Sequence, residues 1–177
     1  KNVIIEYYKG SKEFKNLKII DTGESTMTGG RILRLKSFFE KDENFFMTYG
    51  DGLCSINLND LTNFHKKNGK IATVTAVHPP VRFGELEIQG DKVTKFEEKP
   101  QASAGWINGG YFVLKSDVFD YIDNDQTLFE KEPMTRLYQK NNLNAYKHEG
   151  FWKCMDTLRD KIDLEQILKD KGAIWKK

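Results

Sequence analysis

The feature that most constrains this chain is the segment from Phe45 to Gly52, which reads Phe-Phe-Met-Thr-Tyr-Gly-Asp-Gly. Residues of high strand propensity lead to a single carboxylate, Asp51, which lies between two glycines. A buried parallel strand delivers such a side chain to the carboxyl edge of an α/β sheet, where ligands bind. The flanking glycines would allow a bulky ligand to approach the backbone. The alternative is a core strand closed by a Gly-Asp-Gly turn, since both residue types are common in turns.

The composition excludes several classes of protein. The 177 residues suit a single domain, and we expect residues 1–177 to form one. A mean hydropathy of -0.62 and the lack of a long apolar run argue against a membrane span. The net charge of +2 lacks the large positive excess that is typical of proteins that bind nucleic acid. The two cysteines, Cys54 and Cys154, have no metal-ligand spacing, and no segment resembles a signal peptide, so we expect a cytoplasmic protein.

Strand-like and helix-like segments alternate along the chain. The residue pattern predicts strands at 17–20, 45–49, 71–77, 111–114 and 145–148. It predicts helices near the amino end, after Arg31, from Asn59 or Asp60 to Gly69, after Ser116, around 130–140, and from 157 to 171. This alternation predicts an α/β fold with a mixed, mostly parallel sheet flanked by helices. Residues 84–88 and 92–96 predict a small β-hairpin insertion.

Two further side chains attract attention because of their settings. Asp156 lies in an aromatic-rich turn before a predicted helix, and together with Asp51 it would make a reasonable Mg²⁺ site. The alternative, which spacing alone favours, is that Asp156 caps the helix that begins at Thr157. Lys99 precedes Pro100, which fixes an extended backbone, so its ammonium could hold a phosphate as a point charge. A solvated surface lysine is the alternative there.

The loop from Thr22 to Arg31 is rich in glycine and hydroxyl groups and ends in a guanidinium. Such groups suit a nucleotide base or phosphate. The loop has neither the Gly-Lys-Ser/Thr of a Walker A sequence nor the Gly-x-Gly-x-x-Gly of a Rossmann fingerprint. No Ser/His/Asp or Cys/His order elsewhere in the sequence suggests a covalent nucleophile.

Six motifs in a fixed order resemble those of the sugar-phosphate nucleotidylyltransferases, in particular of the members that form CDP-glucose. Each motif alone is weak, but six together are specific and span nearly the whole chain. They are Asp21-Thr22-Gly23 with Met27 to Arg31, Thr48 to Gly52, Arg82-Phe83-Gly84, Glu98-Lys99-Pro100, Ile107 to Gly110, and Gly150 to Trp152 with Met155 to Asp160. The resemblance implies a Rossmann-like nucleotidyltransferase fold. It also implies an in-line attack of the phosphate of glucose 1-phosphate on the α-phosphate of CTP, which releases pyrophosphate and supplies deoxysugar and O-antigen synthesis.

The same resemblance implies roles for individual residues. Asp51 and Asp156 match Mg²⁺ ligands, and Lys99 matches a lysine near the sugar phosphate; these three would be the catalytic residues. The positions that match nucleotide-binding or substrate-binding residues are Thr26, Arg31, Gly50, Gly84, Glu98 and Asn108. For Asp156 and Lys99, these roles replace the readings that spacing alone favours.

The chain departs from the family in one respect. The family opens with the loop Gly-Gly-x-Gly-Thr-Arg-Leu, which is followed by a Lys-Pro segment that carries a catalytic lysine. Neither the loop nor the Lys-Pro segment that follows it occurs in this sequence; Lys99-Pro100 belongs to a different motif. We therefore expect the chain to be the larger, carboxy-terminal part of such an enzyme and to be inactive by itself. For the full-length form we expect a homo-oligomer that binds neither nucleic acid nor membrane.

Three alternatives remain open from the sequence. The nucleotide could be dTTP or UTP on the same sugar phosphate. A metal-dependent glycosyltransferase of similar fold would use an Asp-x-Asp pair. The sequence has Leu53 at the position of the second aspartate, which argues against this alternative. A non-catalytic module that binds a nucleotide sugar is the third alternative, because the family's opening loop does not occur in the sequence.

Overall fold

The computed structural model describes residues 2–8, 16–79, 85–97 and 105–176. Within these ranges, helices α1 to α5 span Asn2–Tyr8, Thr28–Leu33, Leu58–Asn68, Glu132–Gln139 and Leu158–Lys171. Strands β1 to β8 span Asn44–Thr48, Gly52–Cys54, Ala72–Val77, Glu85–Gln89, Lys92–Glu97, Ile107–Lys115, Leu143–Lys147 and Trp152–Cys154. Short 3-10 helices cover Lys36–Phe38 and Ser116–Tyr121. No helix in the described ranges is both long enough and apolar enough to cross a membrane.

Four strands form the main sheet in the order β1-β6-β3-β7. Strand β6 runs antiparallel to both of its neighbours, β1 and β3, whereas β7 pairs with β3 in parallel. Three of the four strands therefore point the same way, and β6 runs against them. The mixed α/β sheet confirms the predicted fold class, but its neighbouring pairs are mostly antiparallel, not mostly parallel. The reason is that β6 inserts between two strands that would otherwise pair in parallel.

Two smaller ladders complete the strand pairing. Strands β2 and β8 pair antiparallel, and β4 and β5 form the predicted hairpin, which turns at Gly90. Gly90 has a φ of 59°, a left-handed conformation that favours glycine.

Both faces of the main sheet are covered, as an α/β fold requires. Alternate residues of β6 point to opposite faces: Phe112 and Leu114 join one buried cluster, and Val113 joins the other. The first cluster includes residues from α2, α4 and the 3-10 helix at Ser116–Tyr121. The second includes Leu61 of α3 and Cys54 of β2. Strand β6 therefore holds the two layers together.

Two strand predictions need correction. Residues 17–20 form no strand, and Leu17 and Ile20 are exposed, because a short apolar run becomes a strand only when a partner edge is beside it. The predicted strand at 45–49 exists as β1, but it alternates between exposed and half-buried residues instead of being buried throughout. Among the described strands it pairs with β6 alone, so it lies at the edge of the sheet.

Helix α3 follows its sequence signals closely, with one shift at its start. Asn57 caps it by accepting hydrogen bonds on Oδ1 from the backbone of Asn59 and Asp60, the two residues that we predicted as caps. The helix ends as predicted at Gly69, whose φ is 64°.

A buried histidine fastens α3 to the sheet. His65 is only 1% exposed; its Nδ1 lies 2.8 Å from Thr73 Oγ1 and its Nε2 lies 3.1 Å from Asn44 Oδ1. Because the Asn44 oxygen can only accept, Nε2 carries the proton and Nδ1 accepts from the threonine hydroxyl. Burial, aided by the charge of Lys115, lowers the pKa of His65 below its ordinary value of 6.5. The folded protein therefore holds this ring neutral.

This histidine predicts a loss of stability on mild acidification. A group whose pKa is lowered on folding favours the folded state above its unfolded pKa, and that contribution is lost as the pH falls below about 6.5. We expect the free energy of unfolding of the wild-type chain to fall between about pH 7 and pH 5.5. The carboxyls of Asp125 and Asp163, whose pKa values are lowered from 3.8, act at lower pH.

The His65→Gln variant isolates the effect. It should lose about 1–3 kcal/mol at neutral pH, because its buried partners are left poorly satisfied. Its free energy of unfolding should nevertheless change less over the same pH interval. Denaturant titrations of both proteins at several pH values give the two slopes, and equal slopes would contradict the prediction.

Candidate active site

The two aspartates singled out in the sequence lie at the same end of the β2–β8 ladder. The ladder pairs Gly52 with Cys154, and the next backbone bond along it runs from Met155 N to Asp51 O at 2.9 Å. Asp156 therefore follows directly after the residue that is bonded to Asp51. Both aspartates are exposed to solvent. Asp51 lies in the turn between β1 and β2 instead of at the end of a buried strand.

Asp156 does not cap the following helix, so the alternative that spacing favoured is wrong. The cap of α5 is Thr157, whose hydroxyl accepts from Asp160 N at 3.2 Å, while Asp160 Oδ2 accepts from Thr157 N at 3.0 Å. This reciprocal capping box satisfies the helix terminus without Asp156. The Asp156 carboxylate instead accepts a hydrogen bond from Cys154 Sγ at 3.1 Å.

Aromatic side chains fasten the β2–β8 ladder to the main sheet. Trp152 Nε1 donates to Gly109 O at 2.7 Å, and the Tyr111 hydroxyl donates to Gly52 O at 2.8 Å. Both acceptors are backbone oxygens, so these bonds fix the position of the ladder relative to β6. The turn that carries Asp51 is thereby attached to the best-packed strand of the fold.

The Thr22–Arg31 loop borders a cavity of about 560 Å³, which is within the usual range for small-molecule sites. Arg31 lines this cavity, and its guanidinium donates to Thr22 Oγ1 at 2.7 Å and to Glu24 O at 3.3 Å. Thr26 is buried and is not among the lining residues. Of the two predicted nucleotide contacts, Arg31 therefore faces open space and Thr26 lies behind the loop.

The adjacent glycines Gly29 and Gly30 allow close packing within the protein. The backbone N–H of Gly29 donates to Thr127 O at 2.9 Å. A Cβ atom on Gly29 would lie 2.7 Å from that oxygen, and one on Gly30 would lie 2.5 Å from the backbone of Asp125. The sequence predicts only that the groups of the Thr22–Arg31 loop as a whole suit a nucleotide base or phosphate. In the structure, the loop between Asp125 and Thr127 occupies the space beside them.

Gly50 is the opposite case. It is exposed, and a Cβ atom built on it would meet no atom of the described residues within 4 Å. Neither crowding by the protein nor a left-handed backbone explains a glycine at this position. The space above the turn before Asp51 is therefore open to a ligand.

Asn108 is held by two hydrogen bonds. Its Oδ1 accepts from Gly110 N at 2.8 Å, and its Nδ2 donates to the Tyr49 hydroxyl at 3.2 Å. Tyr49 directly precedes Gly50, so the predicted sugar-contacting residue is tied to the turn that carries Asp51. The remaining predicted site residues, Gly84, Glu98 and Lys99, lie outside the described residues.

Sequence reasoning missed two residues at this site, Tyr49 and Glu130. The Tyr49 hydroxyl donates to Glu130 Oε1 at 2.7 Å, and the Thr28 hydroxyl donates to Glu130 Oε2 at 2.7 Å. Tyr49 lies inside a recognised motif, but the sequence pattern predicts only that it belongs to a strand. Glu130 carries no local signal, because it is one of many acidic residues near a helix start.

The donor set at the site is small. Over residues 2–8, 16–79, 85–97 and 105–176, no group of three or more His, Cys, Asp or Glu side chains could hold a metal ion. The pair Asp51 and Asp156 offers carboxylate oxygens alone. Such a pair is compatible with Mg²⁺, which usually takes one or two carboxylates and completes its shell with phosphates and water.

The chain is similar in sequence to proteins that are named as nucleotidyl-transferring enzymes. The sequence profile of the family "Nucleotidyl transferase" matches residues 2–170. The chain is 48% identical over 161 residues to the glucose-1-phosphate cytidylyltransferase of Salmonella typhi, which covers 91% of this chain and 63% of that protein. It is 33% identical over 158 residues to the mannose-1-phosphate guanyltransferase of Yarrowia lipolytica, covering 85% of this chain and 44% of that protein.

A solved structure supports the fold. A Bacillus anthracis protein, provisionally named a glucose-1-phosphate thymidylyltransferase and solved in complex with a sucrose, superposes with a TM-score of 0.70. The alignment covers 96% of this chain and 72% of that protein at 17% identity, so it bears on the fold alone. The chain spans only about 63% of the length of the Salmonella relative.

The packing of the Thr22–Arg31 loop yields a stability prediction. In Gly30→Ala, the new Cβ would lie 2.5 Å from the backbone of Asp125, which cannot rotate away. Overpacking of this kind costs about 1–3 kcal/mol, whereas alanine in a helix gains only about 0.5–1 kcal/mol over glycine. We therefore expect a net loss of stability, measured by denaturant unfolding.

The control for this experiment is Gly105→Ala. The added Cβ there would meet no atom within 4 Å among the residues that the structure describes, and Gly105 has no left-handed backbone. This variant should unfold at the same denaturant concentration as the wild type or slightly higher. Equal stability of the two variants would contradict the prediction, because it would mean that the backbone at Asp125 moves aside without a measurable cost.

Proposed function

Because this chain belongs to the Nucleotidyl transferase family, we propose that the protein transfers the cytidylyl group of CTP to glucose 1-phosphate, giving CDP-glucose and pyrophosphate. The observation that carries the proposal is the hydrogen bond from Met155 N to Asp51 O, since it brings Asp51 and Asp156 to one end of the β2–β8 ladder. The name of the Salmonella typhi relative supplies the nucleotide and the sugar. The open space above Gly50 supports an approach of substrate at that turn.

The reaction requires one bond to form and one to break. An oxygen of the sugar phosphate attacks the α-phosphorus of CTP, and the bond from that phosphorus to the bridging oxygen breaks, which releases pyrophosphate. No covalent intermediate with the protein is needed. The protein contributes by holding the two substrates in line and by stabilising the charge that develops on the phosphate oxygens.

A divalent metal ion fits this site. Members of the family generally use one, and the paired carboxylates of Asp51 and Asp156 beside open space are suitable oxygen donors for Mg²⁺. Bound there, Mg²⁺ would orient the triphosphate and offset its negative charge. The aspartates themselves have a simpler role in this proposal: two exposed carboxylates attract the cation and repel a triphosphate that arrives without it.

The other candidate residues divide between the two substrates. Arg31, at the border of the 560 Å³ cavity, would contact the nucleotide, and the buried Thr26 would support that loop from behind. Asn108, held by Tyr49 and Gly110, would contact the sugar. Gly84, Glu98 and Lys99 complete the sugar side of the proposal, with the lysine as a point charge beside the sugar phosphate.

The assay for the proposed activity uses the full-length protein with glucose 1-phosphate, Mg²⁺ and one nucleoside triphosphate at a time. We expect pyrophosphate release and a CDP-glucose mass with CTP, and much slower turnover with dTTP or UTP. Preference for dTTP or UTP would correct the nucleotide and keep the reaction. Binding of CDP-glucose without turnover of any triphosphate would favour a non-catalytic module. The 177-residue chain alone should be inactive, because the family's Gly-Gly-x-Gly-Thr-Arg-Leu segment is not among its residues.

The two aspartates make a separate prediction. In the full-length protein, Asp51→Asn and Asp156→Asn should each lower kcat/KM by at least about 10²–10³, the size of effect that follows the loss of one transition-state contact. Both side chains are exposed, so the free energy of unfolding should change by no more than about 0.5 kcal/mol.

The matched control is Asp170→Asn, an exposed aspartate in the last turn of α5. It should keep full activity. Parallel losses of stability and activity in the Asp51 and Asp156 variants would indicate a structural role for these carboxylates. Full activity in both would refute the proposed site.

A further inference from the structure

A continuous chain of hydrogen bonds links three parts of the site that are distant in sequence. Glu130 lies just before α4 and accepts on both carboxylate oxygens: from the Tyr49 hydroxyl on Oε1 and from the Thr28 hydroxyl on Oε2, each at 2.7 Å. The Tyr49 hydroxyl in turn accepts from Asn108 Nδ2 at 3.2 Å. The order of the chain is therefore Thr28, Glu130, Tyr49, Asn108.

Each end of this chain touches a different side of the candidate site. Thr28 begins α2, the helix that carries Arg31, and its hydroxyl also accepts from Phe129 N at 2.9 Å. Tyr49 directly precedes Gly50 and Asp51. Asn108 is the predicted sugar contact. Glu130 connects α2 with the turn at Asp51 by hydrogen bonds on its two carboxylate oxygens.

The chemistry of the carboxylate suits this connection. A deprotonated carboxylate only accepts hydrogen bonds and can receive two hydroxyl donors at once. Bonds to a charged acceptor are shorter and about twice as strong as neutral ones, in keeping with the two 2.7 Å distances. The carboxylate of Glu130 does not cap α4, since the start of that helix has no side-chain cap.

The Tyr49 ring is fixed from its other side. Tyr49 N donates to Gly110 O at 3.1 Å, and a Cβ on Gly110 would lie 2.8 Å from the ring. Gly110 has a φ of 78°, so no other residue fits there without strain. Burial, followed by the bond to Glu130, raises the pKa of Tyr49, so the phenol keeps its proton and stays a donor.

We propose that Glu130 is a positioning residue, which sets the placement of the Arg31 helix relative to the Asp51 turn and to Asn108. It contacts no substrate itself and acts through Thr28 and Tyr49. The inference rests on the proposed function in that it names what aligns the nucleotide side of the site with the sugar side. An error of about 1 Å in such an alignment can cost about 10²-fold in rate.

The central variant is Glu130→Gln. The amide keeps the shape, but an NH₂ donor replaces one of the two acceptor oxygens, so one of the two hydroxyls no longer faces an acceptor. Glu130→Asp keeps two acceptor oxygens on a shorter stem and serves as the conservative variant. Glu132→Gln is the matched control, because Glu132 is an exposed acid in the first turn of the adjacent α4.

In the full-length protein, we expect Glu130→Gln to lower kcat about 10-fold, the equivalent of about 1.4 kcal/mol, with a smaller change in KM for either substrate. Glu130→Asp should recover part of the loss, and Glu132→Gln should stay within about twofold of wild type. The kcat loss of the double variant Glu130→Gln/Tyr49→Phe should be smaller than the product of the two single losses, because both substitutions remove the same bond between the carboxylate and the phenol.

A second measurement does not depend on activity. Amide hydrogen exchange of the free protein should be faster in Glu130→Gln than in Glu132→Gln at both residues 28–33 and residues 49–51. Faster exchange at both segments together with the kcat loss supports the inference.

Two results would overturn it: exchange unchanged at either segment, or equal kinetics of Glu130→Gln and Glu132→Gln in an active enzyme. If the wild-type protein turns over no nucleotide, the proposed function fails, and the exchange data still decide whether Glu130 couples the two segments.

Discussion

An irregularity in β6 is the constraint on which the candidate site depends. Strand β3 pairs Val74 with Phe112 but Ala76 with Asn108, so β6 has two extra residues in the stretch that contains Gly109 and Gly110. A side chain at Gly109 would collide with Val77 and the Thr75 carbonyl, and one at Gly110 would collide with the Tyr49 ring. The two glycines let β1, β3 and β8 meet at one place, since Trp152 also binds the Gly109 carbonyl.

This arrangement explains why the site lies at the end of β6 that holds Asn108. The opposite end of β6 carries Phe112, Val113 and Leu114, which are almost fully buried and supply both cores. Packing there fixes the strand, and the irregular segment projects from a rigid base. A loop attached to a well-packed strand holds its polar groups in a precise position, which would suit the proposed reaction because that reaction depends mainly on alignment.

Local signals were enough to predict many elements, but pairing could not be predicted from them. The Gly69 end of α3, the hairpin at Gly90 and the start of α5 near Thr157 follow from capping and turn chemistry within a few residues. The reversed direction of β6 depends on which strands become its neighbours, which no short window records. Pairing also decides the outcome at residues 17–20. Their apolar pattern suits a strand, but they pair with none of the described strands.

The candidate site, like the fold, has features that the sequence predicts and others that only the folded chain shows. Three glycines illustrate the difference. Gly29, Gly30 and Gly50 all lie in motifs that predict a ligand, yet two of them make room for the Asp125 backbone or the Thr127 carbonyl and only Gly50 faces open space. The sequence cannot separate these cases, because absence of a side chain serves protein packing and ligand approach equally. Glu130 is hidden for a related reason: its two partners lie 81 and 102 positions away, so only the folded chain identifies it among the acidic residues. A family motif predicts which residues bind a ligand, whereas a residue that is proposed to align them, such as Glu130, is identified only from its contacts.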